Sequence, residues 1–129
     1  MGQIERFEDL IAWQKARVLA RDVYEATLQG PFGRDIGLAG QIQRAVVSIG
    51  SNIAEGFERA SRPDFRRFLT IAKSSCAEVR SQLYTALDVG YLGQEHFHKL
   101  QDQAEEVGRV IGGLRMSVSK PRKFPKREE

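Results

Sequence analysis

The sequence predicts an all-α protein, an antiparallel up-down four-helix bundle, on three observations. Apolar residues recur at 3-4-3-4 spacing in four separate segments. Glycine and proline punctuate the short connections between those segments, as antiparallel neighbours require. No stretch sustains the period-two alternation of a strand. At 129 residues the chain fits one domain and can bury about two-thirds of its unfolded surface, so a core can form without disulfide or metal staples.

The first helix is expected over about 7–29, with Ala12, Ala16, Leu19, Val23 and Ala26 as its stripe and Leu10 and Trp13 beside it. Gly30-Pro31 is expected to end it, because proline cannot continue a helix at that point. The second helix, about 35–59, carries Ile42, Val46, Ile49, Ile53 and Gly56. The third, about 62–89, opens on Ser61-Arg62-Pro63-Asp64, an N-cap serine with an early proline and an acid three residues later. Its stripe is Phe65, Leu69, Ala72, Cys76, Val79, Leu83 and Ala86, and Gly90 stops it. The fourth, about 94–118, follows Gly93 and carries Phe97, Leu100, Ala104, Val107, Ile111, Leu114 and Val118. Four stripes of this kind can close on one another. The domain is therefore read as residues 1–118. Residues 119–129 form a basic tail, expected to be disordered when free.

Hydrophobic residues make up 41% and charged residues 29% of the chain, ordinary values for a soluble globular protein. The net charge is +3, and it lies wholly in the tail, which holds five basic and two acidic residues. The high isoelectric point thus does not imply a basic body. The lone Cys76 can form no internal disulfide, no long apolar run marks a signal peptide, and no run approaches a membrane span, so a cytoplasmic location is expected.

The most informative stretch is the second helix with its entry: Gly37-Leu38-Ala39-Gly40-Gln41-Ile42-Gln43-Arg44-Ala45-Val46-Val47-Ser48-Ile49-Gly50-Ser51-Asn52-Ile53-Ala54-Glu55-Gly56. It resembles the four-helix-bundle family named after proteins encoded in intervening sequences of bacterial 23S ribosomal RNA genes, whose pattern is roughly G-L-x-x-Q-I-R-R-A-x-V-S-I-P-x-N-I-A-E-G. The Leu10–Ala16 segment (LIAWQKA), Tyr24, Phe32, Phe65, Phe68, Leu69, Ala72, Glu78 and the Leu87–Leu92 turn fit the same family, so the resemblance spans about residues 7–118. Gln43 replaces an arginine of the pattern, Gly50 replaces its mid-helix proline, and the basic tail falls outside it. The resemblance implies a left-handed antiparallel bundle, homopentameric assembly and no catalytic activity. A more distant relative, the accessory protein of diversity-generating retroelements, is a basic pentameric barrel that binds nucleic acid and a reverse transcriptase.

Read without the family, the second helix is apolar or small over about half its circumference once Val47, Gly50 and Ala54 are added to its core stripe. One bundle seam needs less, so the surplus marks these three residues as candidates for a subunit interface. Deeper burial within one subunit is the other reading. Gln41, Arg44, Ser48, Asn52 and Glu55 share a separate polar face. That face can be a structural hydrogen-bond network, a solvated surface or a ligand site, and the structural network is preferred.

Glu95-His96-Phe97-His98 holds one Glu-x-x-His, whereas di-iron bundles need two such motifs and further inward carboxylates. No metal, cofactor, catalytic residue, membrane contact or small-molecule substrate is expected. The expected partner is the chain itself, in a scaffold or accessory module. The alternative is a protein that binds RNA or DNA through Lys120, Arg122, Lys123, Lys126 and Arg127 of the tail, with Phe124 available to stack on a base. A basic surface assembled across subunits from Arg59, Arg62, Arg66 and Arg67 would serve if the tail does not.

Overall fold

Four long amphipathic helices make up nearly all of the computed structural model, which describes residues 4–119. A single 3-10 turn, Phe7–Asp9, leads into α1 (Ile11–Thr27). Next come the one-turn α2 (Gly30–Arg34), α3 (Ile36–Phe57), α4 (Arg62–Asp88) and α5 (Gln94–Ser119). No strand occurs among the described residues.

The helices close a ring of contacts in which α3 packs on α1 and α4, and α5 packs on α4 and α1. Contacts between neighbouring helices run in opposite order along the chain. Lys15 and Asp22 of α1 reach Glu106 and Gln103 of α5. Thr27 of α1 meets Gln43 of α3, and Ser48 of α3 meets Ser75 of α4. Arg62 at the start of α4 donates from Nε and Nη2 to the carbonyl of Val118 near the end of α5. Neighbours in the ring therefore run antiparallel.

The four stripes read from spacing are the core. Every member is buried except Phe65, Leu114 and Val118, which are half-buried and lie near helix ends. Leu19, Ile42, Ile49, Ile53, Leu69 and Ile111 are sealed from solvent, each contributing on the order of 1.5–3 kcal/mol of hydrophobic stabilisation. Asp35 caps α3 by accepting from the Leu38 N–H at 3.0 Å, and Ser61 caps α4 by accepting from Asp64 N–H at 3.2 Å. Gly90, at φ +86°, turns the chain out of α4 in the left-handed conformation that favours glycine.

Two sequence expectations need correction. The first helix does not run unbroken over 7–29. Leu10 adopts an extended backbone, φ −74° and ψ 127°, between the 3-10 turn and α1. That break lets the side chain of Leu10 enter the core and sets the Phe7 ring edge-on to Trp13 at 5.2 Å. Gly30-Pro31 does not itself end α1, which stops at Thr27 before Gln29 turns extended (φ −108°, ψ 138°); with Gly30 at φ +52° it starts α2 instead, giving five helices rather than four among the described residues. Proline is preset for the first helical turn, and α2 buries Phe32, which stacks on Tyr91 with centroids 5.3 Å apart. The other helix bounds differ from expectation by two residues or fewer.

Candidate interaction surfaces

Gln41, Arg44, Ser48, Asn52 and Glu55 do line one side of α3, next to α4, but their hydrogen bonds do not join them into one network. The Ser48 hydroxyl donates to Ser75 Oγ at 2.6 Å and lies 2.9 Å from the Ala45 carbonyl. Asn52 donates from Nδ2 to the Ser48 carbonyl at 2.8 Å, one turn back on its own helix. Glu55 is exposed and pairs with Arg59 at 3.3 Å. Gln41 and Arg44 form no hydrogen bond or ion pair among the described residues. The Arg44 guanidinium folds back so closely that a Cβ on Gly40 would stand 3.2 Å from its Nη1.

Gln41, Arg44 and Ser48 line a groove of about 510 Å³ shared with Glu78 and Gln82 of α4. Glu78 likewise makes no hydrogen bond or ion pair among the described residues. The Oε1 of Gln82 is buried there without a hydrogen-bond partner, which costs on the order of 1–3 kcal/mol if nothing else reaches it. Sequence reading placed Glu78 only by resemblance and did not find Gln82 or Ser75. Their signal is weak: all three sit just beside the apolar stripe of α4 at helical spacing, a position shared by many solvated residues.

Val47, Gly50 and Ala54 lie on the other outer side of α3 and line a groove of about 290 Å³ against α1. Phe7, Trp13, Arg17 and Ala20 form its other wall. Val47 is 45% exposed at this site. Gly50 faces the Trp13 indole, and a Cβ there would stand 3.6 Å from Nε1. The α3 helix continues unbroken through Gly50, so the glycine marks a contact with Trp13 rather than a flexible point. The Arg17 guanidinium sits 5.7 Å from the centre of the Trp13 ring, at the groove's edge.

The remaining candidates separate cleanly. Lys120, Arg122, Lys123, Lys126 and Arg127 lie outside the described residues. Arg59 and Arg67 each place a guanidinium 4.8 Å from the centre of the Phe68 ring, and they pair with Glu55 and Asp64. Together with Arg62 on the Val118 carbonyl, most of that arginine group is occupied in holding the bundle. Glu95 and His98 are exposed while Phe97 enters the core. Among the described residues, no group of three or more His, Cys, Asp or Glu is placed to hold a metal ion. No helix among them is long and apolar enough to cross a membrane. Cys76 is buried, and burial pushes its thiol up to about 12, against the weaker opposing pull of Arg80 and Lys73.

Fold and surfaces together define a small all-helical bundle with grooves between its helices, in which Ile53 and Gly56 of the most distinctive sequence block, Asn52 to Gly56, are buried in the packing of α3. The chain belongs to the family described as 23S rRNA-intervening sequence protein, whose model matches residues 8–113. Its fold is similar to that of a protein of unknown function of the S23 ribosomal protein family from Bacteroides thetaiotaomicron VPI-5482, with a TM-score of 0.76 and 23% identity over 82% of this chain and 96% of that one. No curated protein matches the sequence.

Proposed function

We propose that this chain is a non-enzymatic, self-associating module of the cytoplasm whose α1–α3 groove receives a second copy of itself, most simply within a closed pentamer. The observation that carries this reading is the apolar groove of Trp13, Val47, Gly50 and Ala54, which a single protomer leaves open. Val47 stands 45% exposed in its lining, while Val46 and Ile49 of the same helix are already fully buried. A copy of the same chain suits the groove between α3 and α4 as well. Arg44 and Glu78 offer opposite charges without partners among the described residues, and a like subunit supplies both complements. Family resemblance supports the same reading, since it implies homopentamers.

The test is light scattering on the purified full-length protein and on Val47→Glu. The expected result is a closed oligomer at micromolar concentration and a smaller species for the variant, which places a charge in an apolar contact. A wild-type monomer, or an unchanged oligomer in Val47→Glu, would overturn the reading.

A further inference from the structure

A third groove, of about 670 Å³, runs between α4 and α5 on a face used by neither surface described above. Its walls carry Lys73 and Arg80 from α4, and Arg109 and Arg115 from α5. Against these four cations stands one lining carboxylate, Glu105. Residues 1–118 hold equal numbers of basic and acidic side chains, so the excess here is a local concentration that net charge conceals.

The cations fall into two pairs. Arg115 is oriented by its Nε bond to Thr70 Oγ1 at 2.8 Å. Arg80 is oriented by Gln101 Oε1 at 3.2 Å and by Glu105 Oε2 at 3.4 Å. Lys73 and Arg109 make no hydrogen bond or ion pair among the described residues. Small residues keep the floor open beneath them. A Cβ on Gly112 would stand 3.4 Å from Lys73 Nζ, and one on Gly108 would reach only the Cβ of Cys76, at 3.9 Å. The hydroxyls of Thr70 and Ser74 add further polar groups to the wall.

We infer that the α4–α5 groove is a binding site for phosphoryl anions, with Lys73 and Arg109 as its free cations and Arg80 and Arg115 as its held ones. Oriented guanidinium groups beside a flexible ammonium suit the tetrahedral oxygens of a phosphate ester better than a planar carboxylate alone. The groove is open and elongated along two helices, so the phosphate can come from a free nucleotide or from the backbone of a strand. This inference is independent of self-association, because it needs no residue of the α1–α3 groove.

The test uses full-length protein and two probes, adenosine triphosphate by calorimetry and a fluorescein-labelled single-stranded RNA 12-mer by anisotropy, each at several salt concentrations. The groove variant is Lys73→Ala with Arg109→Ala. The control is Lys99→Ala with Arg34→Ala, which removes the same charge from exposed positions elsewhere. All proteins are first checked for equal helicity by circular dichroism. Lys73→Arg is the conservative variant and should retain binding. If the strand is the source, the groove pair should flatten the log–log salt slope by about 1.4 and weaken binding at low salt by about tenfold or more, taking about 0.7 per phosphate contact. If the free nucleotide is the source, triphosphate binding should be lost in the groove pair and kept in the control. No binding of either probe to the wild type at low salt would overturn the inference. So would equal losses in the groove pair and the control.

Discussion

Gly56 of α3 lies so close to Phe68 of α4 that a Cβ on the glycine would stand 2.6 Å from the Cβ of Phe68 and 3.1 Å from Cδ1 of Phe65. Real Cβ atoms do not approach so closely, so the absent side chain sets how near the two helices come. This gives the last residue of the Asn52-Ile53-Ala54-Glu55-Gly56 block a physical reason. Gly56→Ala should force α3 and α4 apart and destabilise the fold by about 1–3 kcal/mol.

Gly50 should behave in the opposite way. Its added Cβ would meet Trp13 Nε1 at 3.6 Å, Trp13 Cδ1 at 3.7 Å and Ala16 Cβ at 3.9 Å, all ordinary contacts. Gly50→Ala should therefore stabilise α3 by about 0.5–1 kcal/mol through its helix preference. Urea unfolding of the two variants side by side checks both signs. Equal effects would mean that helix preference, not close approach, governs both sites.

The Ser48–Ser75 bond joins α3 to α4, and Ser75 is buried with 5% of its surface exposed. Ser48→Ala should leave that hydroxyl without its cross-helix partner, at about 1–3 kcal/mol. Removing both hydroxyls should cost less than the sum of the single changes. Glu55→Ala should move folding stability by only about 0.5 kcal/mol, because its pair with Arg59 is solvent-exposed. Denaturant midpoints of the four variants test this. Additive serine effects would argue that the two hydroxyls do not depend on each other.

The fold was legible because each long helix writes its buried stripe at fixed spacing, and that stripe depends on local periodicity alone. The turn signals at Ser61 and Gly90 were legible for the same reason, since a cap or a left-handed glycine acts within a few residues. The break at Leu10 was not, because it is fixed by where the Leu10 side chain and the Phe7 ring find the core. Relations across helices were hidden more deeply. Ser48 gave no sign of Ser75, and the polar face of α3 gave no sign of Gln82. Net charge conceals the basic groove, although Lys73 and Arg80 sit seven residues apart on one face of α4. Gly112 of α5 faces the Lys73 ammonium, another relation across helices that spacing along one helix does not show.

Asp35 and Tyr91 give the fold a pH response at the end that carries α2. Asp35 accepts from the Leu38 N–H and, through Oδ2, from the Tyr91 hydroxyl at 2.9 Å. The backbone bond from Leu38 and then the Tyr91 bond hold the Asp35 carboxyl below its usual range, while the bond to Asp35 and burial raise the Tyr91 hydroxyl. A depressed carboxyl stabilises the fold above its unfolded-state value, and that contribution is lost as pH falls through the lower folded value. A raised hydroxyl stabilises below its unfolded-state value, and that contribution is lost as pH climbs through the higher folded value. Asp35→Ala should therefore lower the thermal midpoint at neutral pH and have less effect in strong acid. Tyr91→Phe should reduce the alkaline loss of stability. An Asp35→Ala deficit that is the same at acid and neutral pH would show that its charge is not what caps α3.

Cys76 offers a direct check on how tightly the wall beneath the basic groove is packed. Cys76 is 2% exposed, and a pKa of about 12 leaves almost no thiolate near neutrality. Lys73 and Arg80 favour the thiolate, but burial outweighs both. Iodoacetamide at pH 8 should therefore label the native protein far more slowly than a free thiol, and labelling should become complete in denaturant. Mass spectrometry of the alkylated chain reads the outcome. Fast native labelling would mean that α4 and α5 open at Gly108, where only the Cys76 Cβ stands within ordinary contact of the position a side chain would take.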